Sequence, residues 1–208
     1  MHLSTETLHE ITSSTISHYD RNAEDFWEGT KDHDVSQNIE ALVRHMAPGP
    51  SRSVLDLGCG PGRDLLEFKK RGYNPIGLDG SMEFCRMARA RSGCTVMHRD
   101  FLKMELHSSS FHGIFANASL FHIPMQELPR ILEELRCSLR DDGVLFCSNP
   151  RGPNQEGWSG ERFGAYHSKK AWFQLMGAAG FVEVESYYRP KDQPRENQPW
   201  LASVWRRT

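Results

Sequence analysis

The chain has 208 residues, enough for one α/β domain with a full core and little more, so 1–208 is expected to form a single domain. Its 25 basic and 27 acidic side chains give a formal charge of −2, which advertises no polyanion-binding surface and argues against a nucleic-acid substrate. Five cysteines without a C-x-x-C pair, no basic-then-apolar leader and no stretch of ~18 apolar residues point to a reduced, cytoplasmic protein that does not enter the membrane.

Residues 1–50 are polar and helix-like, with Ile39, Leu42, Val43 and Met46 at i, i+3, i+4 and i+7 before the break at Pro48-Gly49-Pro50. They are expected to cap a core formed by 51–208. Strands are then expected at Ser53 to Leu57, Pro75 to Leu78, Thr95 to His98, Phe111 to Ala116, Val144 to Ser148, Val182 to Tyr188 and Leu201 to Trp205. Helices fall between them at Arg63 to Arg71, Ser81 to Arg91, Pro129 to Leu139 and Lys169 to Ala179. The second of these carries Arg86, Arg89 and Arg91, expected to be a solvated face. Such alternation predicts a Rossmann-like α/β fold, with helices on both faces of a mostly parallel seven-stranded sheet and ligands beyond its carboxyl ends. Three prolines in 189–199 exclude a crossover helix there, so the final strand pair is predicted to be antiparallel.

The first strand runs directly into Gly58-Cys59-Gly60-Pro61-Gly62. Glycines at such a turn let the backbone approach a ligand closely. Asp79 ends the next strand about 20 residues later, where a carboxylate accepts from ribose hydroxyls. A dinucleotide fingerprint would place its third glycine at position 63, which is Arg63 here. Asp56 is also a poor neighbour for a pyrophosphate and suits the ammonium of a methionine moiety.

These residues, with Asp100-Phe101 after the third strand, resemble the motifs of class I S-adenosylmethionine-dependent methyltransferases over roughly 50–150. The resemblance implies S-adenosylmethionine as cofactor, with Asp100 accepting from the adenine amine and Phe101 covering the ring. It extends the cofactor set to Cys59, Arg63, Gly80 and Ser81 beside those motifs and to Asn117. Upstream, Tyr19-Asp20 and Phe26-Trp27-Glu28-Gly29-Thr30 resemble the segment that closes over the cofactor in small-molecule members; this favours Tyr19 and adds Trp27 and Thr30. Packing of Trp27 on the core is an equal alternative.

Acceptor-binding residues are expected in the loops after the fourth and fifth strands, Ala116 to His122 and Asn149 to His167. The second reads as a long substrate lid. The phrases FWEGTKDHDVSQNI, ANASLFHIP, SNPRG-x-NQEGW, YYRP and QPWLASVW resemble the methyltransferase domain of ovothiol synthases over about 18–206. That resemblance implies methylation of the imidazole Nπ of 5-thiohistidine to give ovothiol A. These 208 residues hold no iron-dependent sulfoxide synthase sequence and no metal-ligand spacing, so a separate synthase and lyase are expected to supply the substrate.

Such a substrate calls for a cation at its carboxylate, Arg151 or Arg189, and an acceptor at its ammonium: Asp34, Gln37, Asn38 or Glu156. An aromatic wall is expected from Phe121, Tyr166 or Tyr188. Asn117, His122 and Tyr166 are the candidate catalytic positioning residues, and His122 or His167 can tune or remove a proton. Other readings are methylation of another small amine, thiol or phenol, or an inactive cofactor-binding partner or regulatory module.

Overall fold

Val54, Leu55 and Leu57 have no solvent exposure because β1 (Ser53–Leu57) is covered on both faces, the burial that parallel strands show as continuous apolar runs. The computed structural model describes residues 2–49 and 51–208. It places β1 in the middle of a seven-stranded sheet with β2 (Asn74–Asp79), β3 (Thr95–His98), β4 (Phe111–Asn117), β5 (Leu139–Pro150), β8 (Phe181–Arg189) and β9 (Trp200–Arg207). The order is β3-β2-β1-β4-β5-β9-β8. The first five strands pair in parallel, whereas β9 is antiparallel to both β5 and β8. The final antiparallel pair is therefore as expected, and β9 slots inside the sheet rather than at its edge.

One face is covered by α6 (Leu128–Ser138) and α7 (Lys169–Ala178), which bury Leu128, Ile131, Leu132, Leu135, Trp172 and Met176 against Leu55, Ile114 and Leu145. Pro129 stands in the first turn of α6, where its missing N–H costs no helical hydrogen bond. The opposite face is covered by α3 (Ser36–His45), through Ile39 and Leu42, and by α4 (Arg63–Lys70), through Phe68. Next to α4 lies α5 (Met82–Ser92), whose Cys85 and Ala88 pack on Leu65 and Val96. Its arginines are less free than expected: Arg89 donates to the Val96 carbonyl and Arg91 lies 3.9 Å from the Trp27 ring centroid.

Two helices precede α3, α1 (Thr5–Arg21) and α2 (Ala23–Thr30). Ser4 caps α1 by accepting from Thr7 N–H. No helix among the described residues is long and apolar enough to cross a membrane.

The segment expected to be a long lid is instead a hairpin of β6 (Gln155–Ser159) and β7 (Arg162–Tyr166) joined by Gly160-Glu161. A glycine-led two-residue connection suits the right-handed twist of paired strands. The hairpin is fastened to α1: Phe163 N–H donates to Thr15 Oγ1 at 3.1 Å, Ser14 Oγ donates to the Glu161 carbonyl at 3.1 Å, and Arg21 pairs with Glu161 at 2.7 Å. The hairpin is therefore a built element whose β7 leans on the first helix, rather than a lid.

Candidate active site

All five parallel strands end at one edge of the sheet, and a cavity of about 570 Å³ runs along it, from Asp100 after β3 to Arg189 at the end of β8. The glycine loop forms its floor. Gly58 has φ +73°, and a Cβ there would stand 2.5 Å from Ser119 Cβ. Gly62 has φ +91° and lies so close to α5 that a Cβ would stand 2.7 Å from the Ala88 Cα. The third glycine therefore serves the approach of α4 to α5.

Asp79 sits at the carboxyl end of β2, 9% exposed. One carboxylate oxygen accepts from Gly60 N–H and the other from Ser81 N–H, both at 2.9 Å. Burial raises its pKa to about 6 despite these donors. Ser81 caps α5 by accepting from Phe84 N–H at 3.0 Å, and its hydroxyl donates to Asp20 at 2.6 Å. Asp20 thereby ties α1 to the start of α5. Asp100 accepts from Leu102 N–H at 2.8 Å with one oxygen, and the adjacent Phe101 ring lies beside Gly58.

Asp56 does not reach the cavity. It is 2% exposed beneath the floor, and its Oδ2 has no partner. Burial, with Asp64 beside it, holds its carboxyl well above the usual range. Arg63 and Asp64 occupy the wall instead. Arg63 forks onto both Asp64 oxygens at 2.7 and 3.1 Å and donates to the Thr30 carbonyl at 2.8 Å, which joins α2 to α4.

His122 and Tyr19 meet over this floor. Tyr19 Oη and His122 Nε2 are 2.8 Å apart, and His122 Nδ1 is 2.7 Å from the Phe163 carbonyl. A carbonyl can only accept, so Nδ1 carries the proton, Nε2 is the acceptor and Tyr19 donates to it. Burial pushes the His122 pKa down to about 4, so the ring is neutral at physiological pH. Burial likewise raises the Tyr19 phenol. Its ring packs on Phe26 and Phe84.

Asn117, at the end of β4, accepts from Asn38 Nδ2 at 2.9 Å, and Asn38 Oδ1 accepts from Tyr187 Oη at 2.9 Å. This chain leaves the Asn117 NH₂ as the free donor. Asn38, expected to touch substrate, is fully buried behind Asn117. Its place in α3 on the Val35, Ile39 and Leu42 side of the helix turns it toward the sheet.

Of the expected site residues, Tyr19, Trp27, Thr30, Gly58, Cys59, Gly60, Arg63, Asp79, Gly80, Ser81, Asp100, Phe101, Asn117, His122, Asp34 and Arg189 line the cavity. Five others do not. Tyr166 and Phe121 pack toward each other, with ring centroids 6.3 Å apart, behind the cavity wall. His167 turns toward Trp172, and burial lowers its pKa. Tyr188 and Arg151 lie together on another surface, 5.3 Å from ring centroid to guanidinium. Strand alternation is the cause: Arg189 enters the cavity, so its neighbour Tyr188 must face the other way. Glu156 is engaged elsewhere, accepting from Met125 N–H at 2.6 Å.

Sequence reasoning missed Thr12, Thr15 and Ile16, which with Tyr19 form one face of α1 over the cavity. The i, i+3, i+4, i+7 spacing was the available signal. His33, Val35, Ser119 and Trp200 also line the cavity without having been singled out.

Residues 54–143 match the family described as methyltransferase domain. That match and the sheet order above together give the class I methyltransferase fold. The chain is similar to malonyl-[acyl-carrier protein] O-methyltransferase of Xylella fastidiosa, 30% identical over 122 residues that make up 56% of this chain and 41% of that protein. Phosphoethanolamine N-methyltransferase 1 of Arabidopsis thaliana is 26% identical over 187 residues, 84% of this chain and 37% of its own length. The chain thus spans about two fifths of these relatives. Among solved structures, Burkholderia thailandensis 1,6-didemethyltoxoflavin-N1-methyltransferase, with 1,6-didemethyltoxoflavin and S-adenosylhomocysteine bound, shares the fold. The match has a TM-score of 0.80 over all of this chain and 93% of the other, with 21% identity.

The cofactor of this methyltransferase class is S-adenosylmethionine, and the residues present fit it. Asp79 keeps lone pairs free beyond its two backbone donors, and Asp100 keeps one oxygen free. Ser119 Oγ, on a residue 3% exposed, lies in the wall without a partner. An orphaned buried hydroxyl in a cavity of this volume is a polar group awaiting a ligand.

Proposed function

We propose that the chain transfers the methyl group of S-adenosylmethionine to a ring nitrogen of a small, zwitterionic heteroaromatic molecule, and specifically to the imidazole Nπ of 5-thiohistidine, giving ovothiol A. The observation that carries this reading is the extent of the cavity. Beyond the part framed by β1 to β3 it continues under β4, β5, β9 and β8 and acquires Asn117, Arg189, Asp34, His33 and Trp200. One guanidinium, one carboxylate, amide donors and an indole suit an amino acid that bears a flat ring. The Burkholderia structure is of a protein whose name gives a ring-nitrogen acceptor, N1 of 1,6-didemethyltoxoflavin. A separate synthase and lyase would supply the thiohistidine.

The cofactor supplies an electrophilic methyl on sulfonium sulfur, for displacement in line by the acceptor's lone pair. This chain's residues position and shield. Asp79 would hold the ribose hydroxyls, Asp100 the adenine amine, and Phe101 the adenine face. Arg189 would take the substrate carboxylate and Asp34 its ammonium. The fixed Asn117 NH₂ would donate to the acceptor and keep its nitrogen, rather than its sulfur, toward the methyl. A neutral imidazole nitrogen already has a lone pair, so no strong base is needed; positioning is the main contribution. With its proton committed to His122, Tyr19 presents only oxygen lone pairs to a bound ligand.

Tyr19→Phe is expected to lower kcat/KM about tenfold, the worth of one well-placed hydrogen bond, and to lower Tm by a few degrees, because the buried His122 Nε2 loses its donor. Steady-state kinetics with a melting curve as control measure this; an unchanged kcat/KM would remove Tyr19 from the site. The proposed activity is tested by incubating the protein with S-adenosylmethionine and 5-thiohistidine, beside histidine and a simple thiol, and locating the added methyl by mass spectrometry and NMR. Methylation of the thiohistidine ring nitrogen is the expected result. Methylation at sulfur, or none on thiohistidine, overturns the substrate assignment.

A further inference from the structure

Arg151, Lys169 and Arg195, far apart in sequence, converge around one aromatic ring outside the cavity already described. Their charged groups lie 5.3, 5.7 and 3.2 Å from the Tyr188 ring centroid. Around them is a separate concavity of about 310 Å³, lined also by Gly152, Ser168, Glu196 and Pro199. Among the described residues none of the three cations has a carboxylate within 4.0 Å. Their polar contacts are neutral: Arg151 Nε and Arg195 donate to the Gln198 carbonyl, and Lys169 donates to Ser186 Oγ. Like charges held together repel, and the faces of a single tyrosine offset only part of that.

A second observation is independent of the ring. α7 begins at Lys169, directly after its cap Ser168, and its first turn contains Lys169 and Lys170 but no acidic residue. A helix amino terminus carries partial positive charge and favours anions, so two lysines there have the wrong sign for the fold alone. An anion seated between that terminus and the two arginines satisfies all of these groups at once. The unused donors are numerous: Arg151 Nη1, Arg195 Nε and Nη2, and two N–H bonds of Lys169. Glu196 is the one carboxylate in the lining, outnumbered three to one by Arg151, Lys169 and Arg195.

We propose that this concavity is a binding site for a phosphate group, a compact tetrahedral dianion that accepts from several donors at once. Its position gives it a consequence. Arg195 lies in the segment between β8 and β9, whose flanking residues Arg189, Pro190 and Trp200 line the methyl-transfer cavity. A phosphate bridging Arg195 to Lys169 and Arg151 therefore clamps 190–199 against α7 and the end of β5. The group can come from free phosphate acting as an effector or from a phosphorylated portion of a ligand that extends out of the cavity.

Isothermal titration of the whole protein with inorganic phosphate, with ionic strength held constant by sodium chloride, tests the site without reference to methyl transfer. Saturable one-site binding is expected, weakened about tenfold in Lys169→Gln and in Arg195→Gln, since each loses one charge-assisted contact. Lys169→Arg is expected to retain binding, and unchanged S-adenosylmethionine affinity in all three variants establishes that they are folded. Hydrogen exchange in 190–199 is expected to slow with phosphate in the wild type and not in Arg195→Gln. Two sources are then separated by adding phosphate to the methyl-transfer assay with the acceptor the enzyme uses. Competition with that acceptor marks the site as part of the acceptor's own footprint, and binding without competition marks an effector. Absence of saturable binding, or equal affinity in the wild type and both glutamine variants, overturns the proposal.

Discussion

Asp79→Ala is expected to weaken S-adenosylmethionine binding about a hundredfold or more by titration calorimetry. Two ribose hydroxyls donating to one carboxylate are worth about 3 kcal/mol together, and the variant also leaves Gly60 N–H and Ser81 N–H without their acceptor. The pH dependence carries a sign that distinguishes the mechanism. Burial raises this carboxyl to about 6, and the ionised form is the one that accepts from ribose, so affinity should fall as pH drops through 6, with a proton released on binding near that pH. Stability without cofactor should move the other way. A folded pKa above the unfolded value of 3.8 means that ionised Asp79 opposes folding above pH 6 by about 3 kcal/mol, and this penalty is relieved between pH 6 and 4. Both trends should vanish in Asp79→Ala. An unchanged affinity, or an unchanged pH profile in the variant, removes the ribose role.

Gly62→Ala should be strongly destabilising, because the added methyl group meets the backbone of a neighbouring helix. The left-handed φ of +91° costs an alanine about 1 kcal/mol, and its Cβ would stand 2.7 Å from the Ala88 Cα, so that α4 and α5 must move apart. A total of about 3 kcal/mol is expected, a fall in Tm of roughly 6–12 °C for a domain of this size. Gly72→Ala is the matched control. Its φ is +83°, but nothing lies within 4 Å of the added Cβ, so it should show only the conformational cost of about 1 kcal/mol. Equal melting temperatures for the two variants would show that the contact with α5 carries no energy.

These two glycines also show why the cofactor half of the cavity was legible in the sequence and the rest was not. Strand, glycine loop, helix and the following strand's terminal Asp79 lie within about 30 consecutive residues, and local spacing fixes their geometry. The acceptor half is assembled from α1, β4, β8 and β9, between which spacing says nothing. There, one-residue differences decide everything: Arg189 lines the cavity while Tyr188 holds three cations on the other side. Asn38 was expected to touch substrate but lies behind the cavity wall, because its place depends on Asn117, 79 residues away, and on Tyr187, 149 residues away. The aromatic segment after β5 was misread both in form and in place: its two short strands contain glycines and polar residues that also suit a loop, and none of 149–167 lines the cavity.

The position of β9 bears on how the protein is made. β8 pairs only with β9, and β9 supplies Trp200 to the cavity while closing the sheet against β5. During synthesis the chain therefore produces β8 well before the strand that joins it to the sheet, with the 190–199 segment between them. Until Trp200–Arg207 has left the ribosome, β8 is an unpaired edge, and β5 presents a second one with Val144, Phe146 and Cys147 along it. β9 is thus the strand that covers both of these edges and completes the cavity wall in the same step.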